Sequence, residues 1–231
     1  MFLSTILRVF LLLFFITIFS FCGEKPGIYN LEGKWSQSCL LELGGDFSMQ
    51  HVLEFGPLNK NTLKGKFFFT DLIFRNSLNC RPSKHMWITK YEGFYKKTEG
   101  RKIVGVLDSQ SSAKLKLTSE AFQTDSVIFY FEKMIFSPDK KLASIINEMN
   151  NKNCGTNWKS NKKRAMSLQC TRDLHEFYPE FSLPEPSEQW HSWIYLKNSK
   201  LLYWGFEGKN NETEVTKHEY IDLTSSFQKI N

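Results

Sequence analysis

Residues 87–95 read Trp-Ile-Thr-Lys-Tyr-Glu-Gly-Phe-Tyr, and their side chains fall into two alternating sets. One set carries three aromatic rings, whereas the other includes Lys90 and Glu92. Successive side chains of a β-strand point to opposite faces, so this period predicts a strand with one apolar face. Residues 47–55 alternate in the same way and predict a second half-buried strand.

Turn residues separate several further segments of strand character along the chain. These segments are residues 62–74, 103–107, 113–118, 127–135 and 221–230, and residues 193–196 and 201–206 add a closing hairpin. Short strands at close spacing, with turn signals between them, are typical of antiparallel sandwiches and barrels. The pattern therefore predicts a mainly β chain.

One segment departs from the strand pattern. Ser137-Pro138-Asp139 is typical of a helix start, and Leu142, Ile145, Ile146 and Met149 then recur at helical spacing. We therefore expect one short helix over residues 139–150. No repeat or linker divides the sequence after residue 30, which favours a single domain.

Composition excludes several classes of protein. The chain has 231 residues, of which 41% are hydrophobic and 15% aromatic, with a mean hydropathy of −0.36. These values exclude a disordered chain, a collagen and a polytopic membrane protein. The formal net charge of +6 is mildly basic, which fits a solvated surface and also attraction to anionic lipid or glycan.

The N-terminus has the features of an export signal. Arg8 supplies a positive charge, and an unbroken run of apolar or small residues extends from Val9 to Cys22. A membrane-spanning helix needs about 20 such residues, whereas the core of a signal peptide needs about 7–15. The shorter length favours a signal peptide at residues 1–21.

Cys22 closes this run and predicts a lipid anchor. Phe19-Ser20-Phe21-Cys22 resembles a bacterial lipobox, although Phe21 stands where that motif has Gly, Ala or Ser. The resemblance implies a signal peptide of lipoprotein type, an acyl group such as palmitate on Cys22, and a tether at residues 22–30. The expected location is the cell envelope, at the outer membrane or cell surface. Ordinary secretion and a buried thiol in an uncleaved helix are the alternatives.

The remaining cysteines are even in number, as expected of an exported chain with structural disulfides. They are Cys39, Cys80, Cys154 and Cys170. Four cysteines allow three connectivities, and we favour Cys39–Cys80 with Cys154–Cys170 because each pair then lies within one half of the chain. A metal site is disfavoured, since no C-x-x-C is present and no His has ligand spacing from any Cys.

The segment from Leu31 to Cys39, Leu-Glu-Gly-Lys-Trp-Ser-Gln-Ser-Cys, resembles the Leu-x-Gly-x-Trp opening of lipocalin-like barrels. In an exported bacterial branch of that family a second Cys follows two strands, as Cys80 does here. A Cys-Gly…Trp…Cys segment and a Leu-Tyr-x-Gly hairpin follow, similar to residues 154–170 and 201–205. The ectodomain barrels of certain animal Wnt-inhibiting membrane proteins resemble this opening too. The resemblance implies that residues 31–231 form one antiparallel lipocalin-like β-barrel.

Motifs for catalysis or metal binding are absent from the sequence. His51, His85, His175, His191 and His218 form no His-x-His or H-E-x-x-H pair. No nucleophile elbow, phosphate-binding loop or dinucleotide fingerprint is present. We therefore expect a non-enzymatic protein without metal or cofactor. The basic residues at 159–164 are interpreted as a solvated loop rather than a nucleic-acid patch.

Aromatic residues supply the candidate ligand site. They are Trp87, Tyr91, Tyr95, Phe129, Phe131 and Tyr203, within a longer aromatic series. An eight-stranded barrel either holds one small ligand or is filled by its own side chains, and this many rings favours a filled core.

The sequence supports two hypotheses about function. The leading hypothesis is an exported, lipid-anchored binding protein for a small apolar or amphipathic ligand at the barrel mouth. The alternative is a surface protein-interaction module with a filled barrel, whose function lies in the loops at residues 44–46, 150–164 and 209–214. The expected partners are a membrane surface, a small hydrophobic ligand or another protein, and no nucleic acid.

Overall fold

The computed structural model describes residues 30–41, 47–75, 79–108, 116–149, 152–175, 189–206 and 220–230. These residues form a twelve-stranded sheet, two short α-helices and a 3₁₀ turn at Pro82–Lys84. The first six strands are β1 (Gly33–Gln37), β2 (Leu40–Leu41), β3 (Phe47–Phe55), β4 (Lys64–Arg75), β5 (His85–Thr98) and β6 (Lys102–Asp108). The others are β7 (Lys116–Gln123), β8 (Asp125–Pro138), β9 (Arg164–Ala165), β10 (Gln189–Lys197), β11 (Leu201–Phe206) and β12 (Tyr220–Ile230). The helices are α1 (Lys140–Glu148) and α2 (Leu168–His175).

Eight of these strands close into a barrel. Their order is β1-β3-β4-β5-β8-β10-β11-β12, and β12 pairs with β1 to complete the ring. Each pairing in the ring is antiparallel. The short strands β2 and β9 pair with β3 and β8 outside the ring. The prediction of a mainly β, closed antiparallel barrel is confirmed.

The alternation in the sequence decides which side chains face the interior. Phe55 on β3 lies directly opposite Phe67 on β4, and both are fully buried. On β5, Trp87, Tyr91 and Tyr95 are buried at alternate positions, as the pattern predicts. Burying one such ring stabilises the fold by roughly 1.5–3 kcal/mol, so these strands supply much of the core.

The start of β1 bends at Gly33, whose φ is +124°. Glycine adopts this conformation without steric cost, and a Cβ there would lie 2.7 Å from Cε of Lys229. The bend brings Trp35 into the core, where its indole N–H donates to the carbonyl oxygen of Leu31 at 2.8 Å. The Gly-x-Trp opening therefore fixes the first strand and buries an aromatic ring beside it.

The hairpin of β6 and β7 is an addition to the barrel. It is inserted between the paired strands β5 and β8, and β6 pairs in parallel with β12, with Gly105 opposite Ile221. Ile103, Val106 and Ile221 are buried but lie outside the main core cluster. These three residues are therefore buried apart from the main core.

The β6–β7 hairpin lies against the outer surface of the barrel wall. Tyr195 on β10 alternates with the core residues Ile194 and Leu196, so its ring faces outward. Phe122 of β7 packs on that ring with 4.8 Å between centroids. The inserted hairpin consequently covers part of the outer face of β10.

Helix α1 agrees with the sequence prediction. The Asp139 carboxylate accepts a hydrogen bond from the backbone N–H of Leu142 at 2.7 Å, which satisfies a free donor at the helix start. Leu142, Ala143 and Ile146 form its buried face.

Helix α2 corrects the prediction of a single helix. It follows Ser167, whose hydroxyl accepts from the N–H of Cys170 at 3.1 Å, and it buries Cys170 and Leu174. The helix has only eight residues, and five of them are polar, so its apolar period is too short to recognise.

Both predicted disulfides are confirmed. Cys39 is bonded to Cys80, and Cys154 is bonded to Cys170, with sequence separations of 41 and 16 residues. Each bridge therefore lies within one half of the chain. Restricting the unfolded chain in this way stabilises a fold by about 3–4 kcal/mol per bridge for loops of these lengths.

Several sequence predictions fall on residues outside the described ranges. They are the signal peptide at residues 1–21, the lipid site at Cys22, the tether up to residue 29, and the loops at residues 44–46 and 209–214. Within the part of the chain that the structure describes, no helix has the length and apolar character needed to cross a membrane.

Candidate functional site

The aromatic side chains inside the barrel pack against one another. The centroid of the Phe67 ring lies 4.5 Å from that of Phe129 and 6.1 Å from that of Phe131. Tyr91 meets Phe131 at 5.7 Å, with the ring planes 77° apart, which is the edge-to-face geometry that aromatic pairs prefer. Around Phe67, Phe129 and Phe131 the aromatic rings fill the interior of the barrel instead of lining an empty cavity.

Five of the six predicted ligand residues lie in this core, namely Trp87, Tyr91, Tyr95, Phe129 and Phe131. Tyr203 has a different place. It alternates with the core residue Leu202 on β11, so it faces outward, and its ring stacks on Tyr195 with 5.8 Å between centroids. The structure therefore brings five of the predicted residues together and separates the sixth from them.

A cleft of about 480 Å³ opens at one end of the barrel, where β1 begins and β3 turns into β4. Its apolar lining comes from Leu31, Pro57, Leu58, Leu63 and Tyr95. Glu32, Lys60 and Lys97 add charged groups to this lining. This volume falls within the roughly 300–1,000 Å³ that small-molecule sites occupy. We refer to these residues as the end cleft.

The turn between β3 and β4 holds one wall of the end cleft in place. The side-chain oxygen of Asn59 accepts hydrogen bonds from the backbone N–H groups of Asn61 and Thr62, at 2.9 and 3.1 Å. The N–H of Leu63 donates to the Asn59 carbonyl oxygen at 2.8 Å. Leu63 has φ of +53°, a conformation that Gly and Asn adopt far more readily than Leu. The turn therefore holds an exposed leucine in a backbone conformation that Gly or Asn would adopt more readily.

Tyr95 connects the end cleft to the ring-filled interior. Its ring meets Phe55 edge-to-face at 5.2 Å, and its hydroxyl donates to the carbonyl oxygen of Gly56 at 3.1 Å. Burial, with a smaller contribution from the charge of Glu32, raises the pKa of Tyr95 to about 12. Tyr95 is therefore a neutral hydrogen-bond donor at the floor of the cleft at physiological pH.

Sequence reasoning did not find the end cleft, apart from Tyr95. The turn itself has a clear signal in Gly56-Pro57 and Asn59 to Asn61. An apolar side chain within such a turn is the only local hint that the turn lines a site, since Leu63 interrupts a polar segment. Lys97, which forms an ion pair with Asp125 across two strands, carries no local signal at all.

Sequence reasoning also missed a polar pair inside the barrel. Nδ1 of His51 lies 2.5 Å from Oδ1 of Asp71, and the two residues are directly opposite each other on β3 and β4. They are 20 residues apart in the chain, so the pairing depends on strand register and not on any short motif. No group of three or more His, Cys, Asp or Glu residues that could hold a metal ion occurs in the described ranges.

The loop after α1 is held by packing as well as by its disulfide. The indole N–H of Trp158 donates to the Cys154 carbonyl oxygen at 3.0 Å, and its ring meets Phe136 edge-to-face at 5.7 Å. The guanidinium of Arg164 lies 4.7 Å from the centre of the Trp158 ring. Lys159, Lys162 and Lys163 are distributed along the same loop, whose basic residues are mostly exposed.

No protein-family model matches this chain, and a search of curated proteins finds no match either.

Proposed function

We propose that this protein is an exported, non-enzymatic binding protein with a lipocalin-like barrel, held on a membrane surface by an acyl group on Cys22. Its ligand is a small apolar or amphipathic molecule that lies in the end cleft, in contact with Leu63 and Tyr95. The observation that carries the proposal is the cleft itself, a concave site with apolar walls at the mouth of a barrel whose interior is filled.

The exposure of Leu63 supports an apolar ligand. Its side chain is 39% exposed, although the turn around it is fixed by hydrogen bonds. Covering apolar surface contributes about 25 cal/mol per Å², so a ligand that buries Leu63 and its neighbours gains affinity from this lining. The Lys60 ammonium is exposed at the same cleft, which also carries the Glu32 carboxylate, so an acidic ligand group gains attraction where it lies beside Lys60.

A fluorescent fatty acid tests the proposed ligand class. We expect a dansyl-labelled fatty acid to bind the purified domain with increased emission, and unlabelled palmitate to displace it. Leu63→Asp should weaken binding at least tenfold, because a carboxylate replaces apolar lining while Asp still tolerates a positive φ.

Leu117→Asp is the matched control. Leu117 is 51% exposed on β7 and does not line the cleft, so this variant should bind the probe as the native chain does. Equal loss of binding in both variants, or no binding by the native domain, would refute the end cleft as the ligand site.

The acyl anchor has a separate test. Cells that express the full chain with radiolabelled palmitate should incorporate label into the protein, and Cys22→Ala should abolish that incorporation. Label should persist when Cys154 and Cys170 are both replaced by Ala, because those thiols form a disulfide. Label that persists in Cys22→Ala would contradict the anchor.

The filled interior favours a second candidate, a protein-interaction module that acts through its surface loops. The aromatic rings that pack together inside the barrel occupy its interior. The Cys154–Cys170 disulfide holds the loop at residues 152–163. Native mass spectrometry separates the two functions. A domain that carries no lipid and does not bind the fatty-acid probe would favour the interaction module.

A further inference from the structure

Exposed lysines lie along the end of the barrel at which the end cleft opens. Lys60 is in the turn between β3 and β4, and Lys64 is the first residue of β4. Lys197 ends β10, Lys200 precedes β11, and Lys229 is the last residue but one of β12. The side chains of all five are exposed. We call these five lysines the basic rim.

Contacts between neighbouring strands connect the basic rim. The backbone N–H of Lys229 donates to the carbonyl oxygen of Lys200 at 3.0 Å. The Lys229 ammonium lies 5.3 Å from the centre of the Trp35 ring on β1. Leu31, just before β1, lines the end cleft together with Lys60. The rim therefore extends from the β10–β11 turn, past the start of β1, to the β3–β4 turn.

The charges of the basic rim are not neutralised within the described part of the protein. None of its five lysines forms an ion pair with another described residue. Lys64 lies directly opposite Lys96 on β5, and like charges at opposed positions destabilise a sheet. The exposed acidic residues at the same strand ends are fewer among the described residues, namely Glu32, Glu54 and Glu99. This end of the barrel therefore has an excess of positive charge.

Two exposed apolar side chains lie among these lysines. Leu63 precedes Lys64, Ile230 follows Lys229, and each of the two apolar side chains is 39% exposed. This combination suits a membrane surface, because ammonium groups attract anionic headgroups while apolar side chains enter the headgroup region. A soluble polyanion would attract the lysines but would give Leu63 and Ile230 no apolar environment. The apolar residues therefore favour a bilayer as the partner.

The place where the chain enters the barrel agrees with this partner. Asn30 lines the end cleft, and it is eight residues after Cys22 in the sequence. Eight residues span at most about 30 Å. An acyl group on Cys22 would keep this end of the barrel within that distance of the membrane. This orientation rests on the proposed anchor, whereas the charges and apolar side chains of the rim do not depend on it.

We propose that the basic rim, together with Leu63 and Ile230, is a docking surface for a bilayer that contains anionic phospholipid. The lysine ammonium groups lie against the phosphate groups of the lipids, and the two apolar side chains enter the headgroup region. Docking in this way places the mouth of the end cleft at the membrane surface. An apolar ligand would then pass between the bilayer and the cleft with little exposure to water, a consequence that rests on the proposed function.

Vesicle co-sedimentation tests the surface on the mature chain from Cys22 onward, produced without its acyl group. One set of vesicles is phosphatidylcholine alone, and the other contains phosphatidylcholine and phosphatidylglycerol in equal parts. We expect at least tenfold stronger binding to the anionic vesicles. Raising the salt concentration to about 1 M should remove this preference, because the Debye length falls to about 3 Å.

Two variants separate the charged and apolar parts of the surface. Lys197→Glu combined with Lys200→Glu should weaken binding to the anionic vesicles at least tenfold, because two charges that face the headgroups are reversed. Neither lysine lines the end cleft, so this variant should bind the fatty-acid probe as the native chain does when vesicles are absent. Ile230→Ser should weaken vesicle binding severalfold without any change in charge.

Lys162→Glu combined with Lys163→Glu is the matched control. Both lysines are exposed, and they follow Asn161, whose backbone N–H donates to the carbonyl oxygen of Pro138 at 2.8 Å. Pro138 ends β8, so this loop lies at the opposite end of the barrel from the basic rim. The control changes the net charge by the same amount and should bind the anionic vesicles as the native chain does. Circular dichroism confirms that each variant is folded.

Three results would overturn the proposal. One is equal binding of the native chain to neutral and anionic vesicles. Another is equal loss of binding in the two double variants, which would assign the attraction to net charge and not to the rim. The third is unchanged vesicle binding in Ile230→Ser together with tighter binding to soluble heparin, which would assign the rim to an acidic polysaccharide. A chain that docks on anionic vesicles but binds no fatty-acid probe would support this surface and refute the ligand proposed for the cleft.

Discussion

Lys97 and Asp125 form an ion pair that joins the end of β5 to the start of β8, with 2.7 Å between Nζ and Oδ2. Their side chains are only 8% and 10% exposed, so both charges are largely removed from water. The pair lies at the base of the inserted β6–β7 hairpin, because the chain leaves the barrel after Thr98 and returns at Asp125. It therefore fixes the two strands at the place where the insertion separates them in sequence.

Removing one partner of this pair should be more harmful than removing both. We expect Lys97→Met to lower the free energy of unfolding by about 3–5 kcal/mol, because the buried Asp125 carboxylate would lose the ammonium group that neutralises its charge. The double variant Lys97→Met, Asp125→Leu should recover most of that loss. Urea unfolding of the native, single and double variants provides the measurement, and a double variant no more stable than Lys97→Met would contradict the destabilisation assigned to the buried Asp125 charge.

Leu63→Asn should stabilise the protein while it weakens binding in the end cleft. Asn tolerates the positive φ at this position better than Leu, so we expect the free energy of unfolding to rise by about 0.5–1 kcal/mol. The same change removes apolar lining, so the fatty-acid probe should bind more weakly. Thermal unfolding and probe titration on one preparation test both effects, and a loss of stability would contradict the strain assigned to Leu63.

Replacing each of two buried threonines by valine should change the stability of the protein in opposite directions. Thr89→Val removes a hydroxyl that has no partner among the described residues, and we expect it to raise the stability of the ligand-free domain by about 1 kcal/mol. Thr124→Val removes a hydroxyl that is hydrogen-bonded to the backbone, and it should lower stability by about 1 kcal/mol. Chemical denaturation gives both values. A fall in stability for Thr89→Val would indicate that this hydroxyl is satisfied in the free protein.

Stability should decline in alkaline solution. Tyrosine in an unfolded chain has a pKa of about 10, whereas burial raises the pKa of Tyr95 to about 12 in the folded protein. Between these two values the unfolded chain has lost the proton that the folded protein keeps. The free energy of unfolding therefore falls as the pH rises from 10 towards 12. Tyr95→Phe should reduce this slope and leave the contribution of Tyr91, whose pKa burial also raises, and equal slopes for the two proteins would rule out Tyr95 as a source.

The two disulfides should differ modestly in how much they stabilise the folded protein. Loop-closure entropy predicts about 4 kcal/mol for Cys39–Cys80, which spans 41 residues, and about 3 kcal/mol for Cys154–Cys170, which spans 16 residues. Replacing each pair by Ala, one pair at a time, and comparing melting temperatures tests the order. A larger loss for the shorter loop would show that packing around Trp158, and not chain entropy, dominates there.

The sequence predicted those parts of the fold that have a local cause. Residues 47–55 alternate without interruption, and the observed β3 has the same bounds. The start of α1 follows from Asp139, which caps it as expected. The pairing of the cysteines followed from their positions, because each bond closes a loop within one half of the chain.

The remaining features depend on contacts between distant residues. Nothing local to residues 102–108 indicates that β6 pairs in parallel with β12, more than 100 residues later. His51 and Asp71 meet only because the register of β3 and β4 places them opposite each other. The end cleft combines residues near 31, 57–63 and 95–97, so no window of sequence contains it. Tyr95 is therefore the one residue of the end cleft that the sequence singled out as a ligand candidate.

Strand β12 pairs with three other strands, and this constrains the order in which the protein folds. This strand pairs with β11 along one edge and with β1 and β6 along the other, and its register joins Lys34 to Ile230. The barrel cannot close until the chain is available as far as β12, and contacts of such long sequence separation form slowly. Before β12 arrives, β1 and β11 each present an unpaired edge that can recruit another chain. A ribosome-bound chain would therefore need protection of those edges until β12 is released.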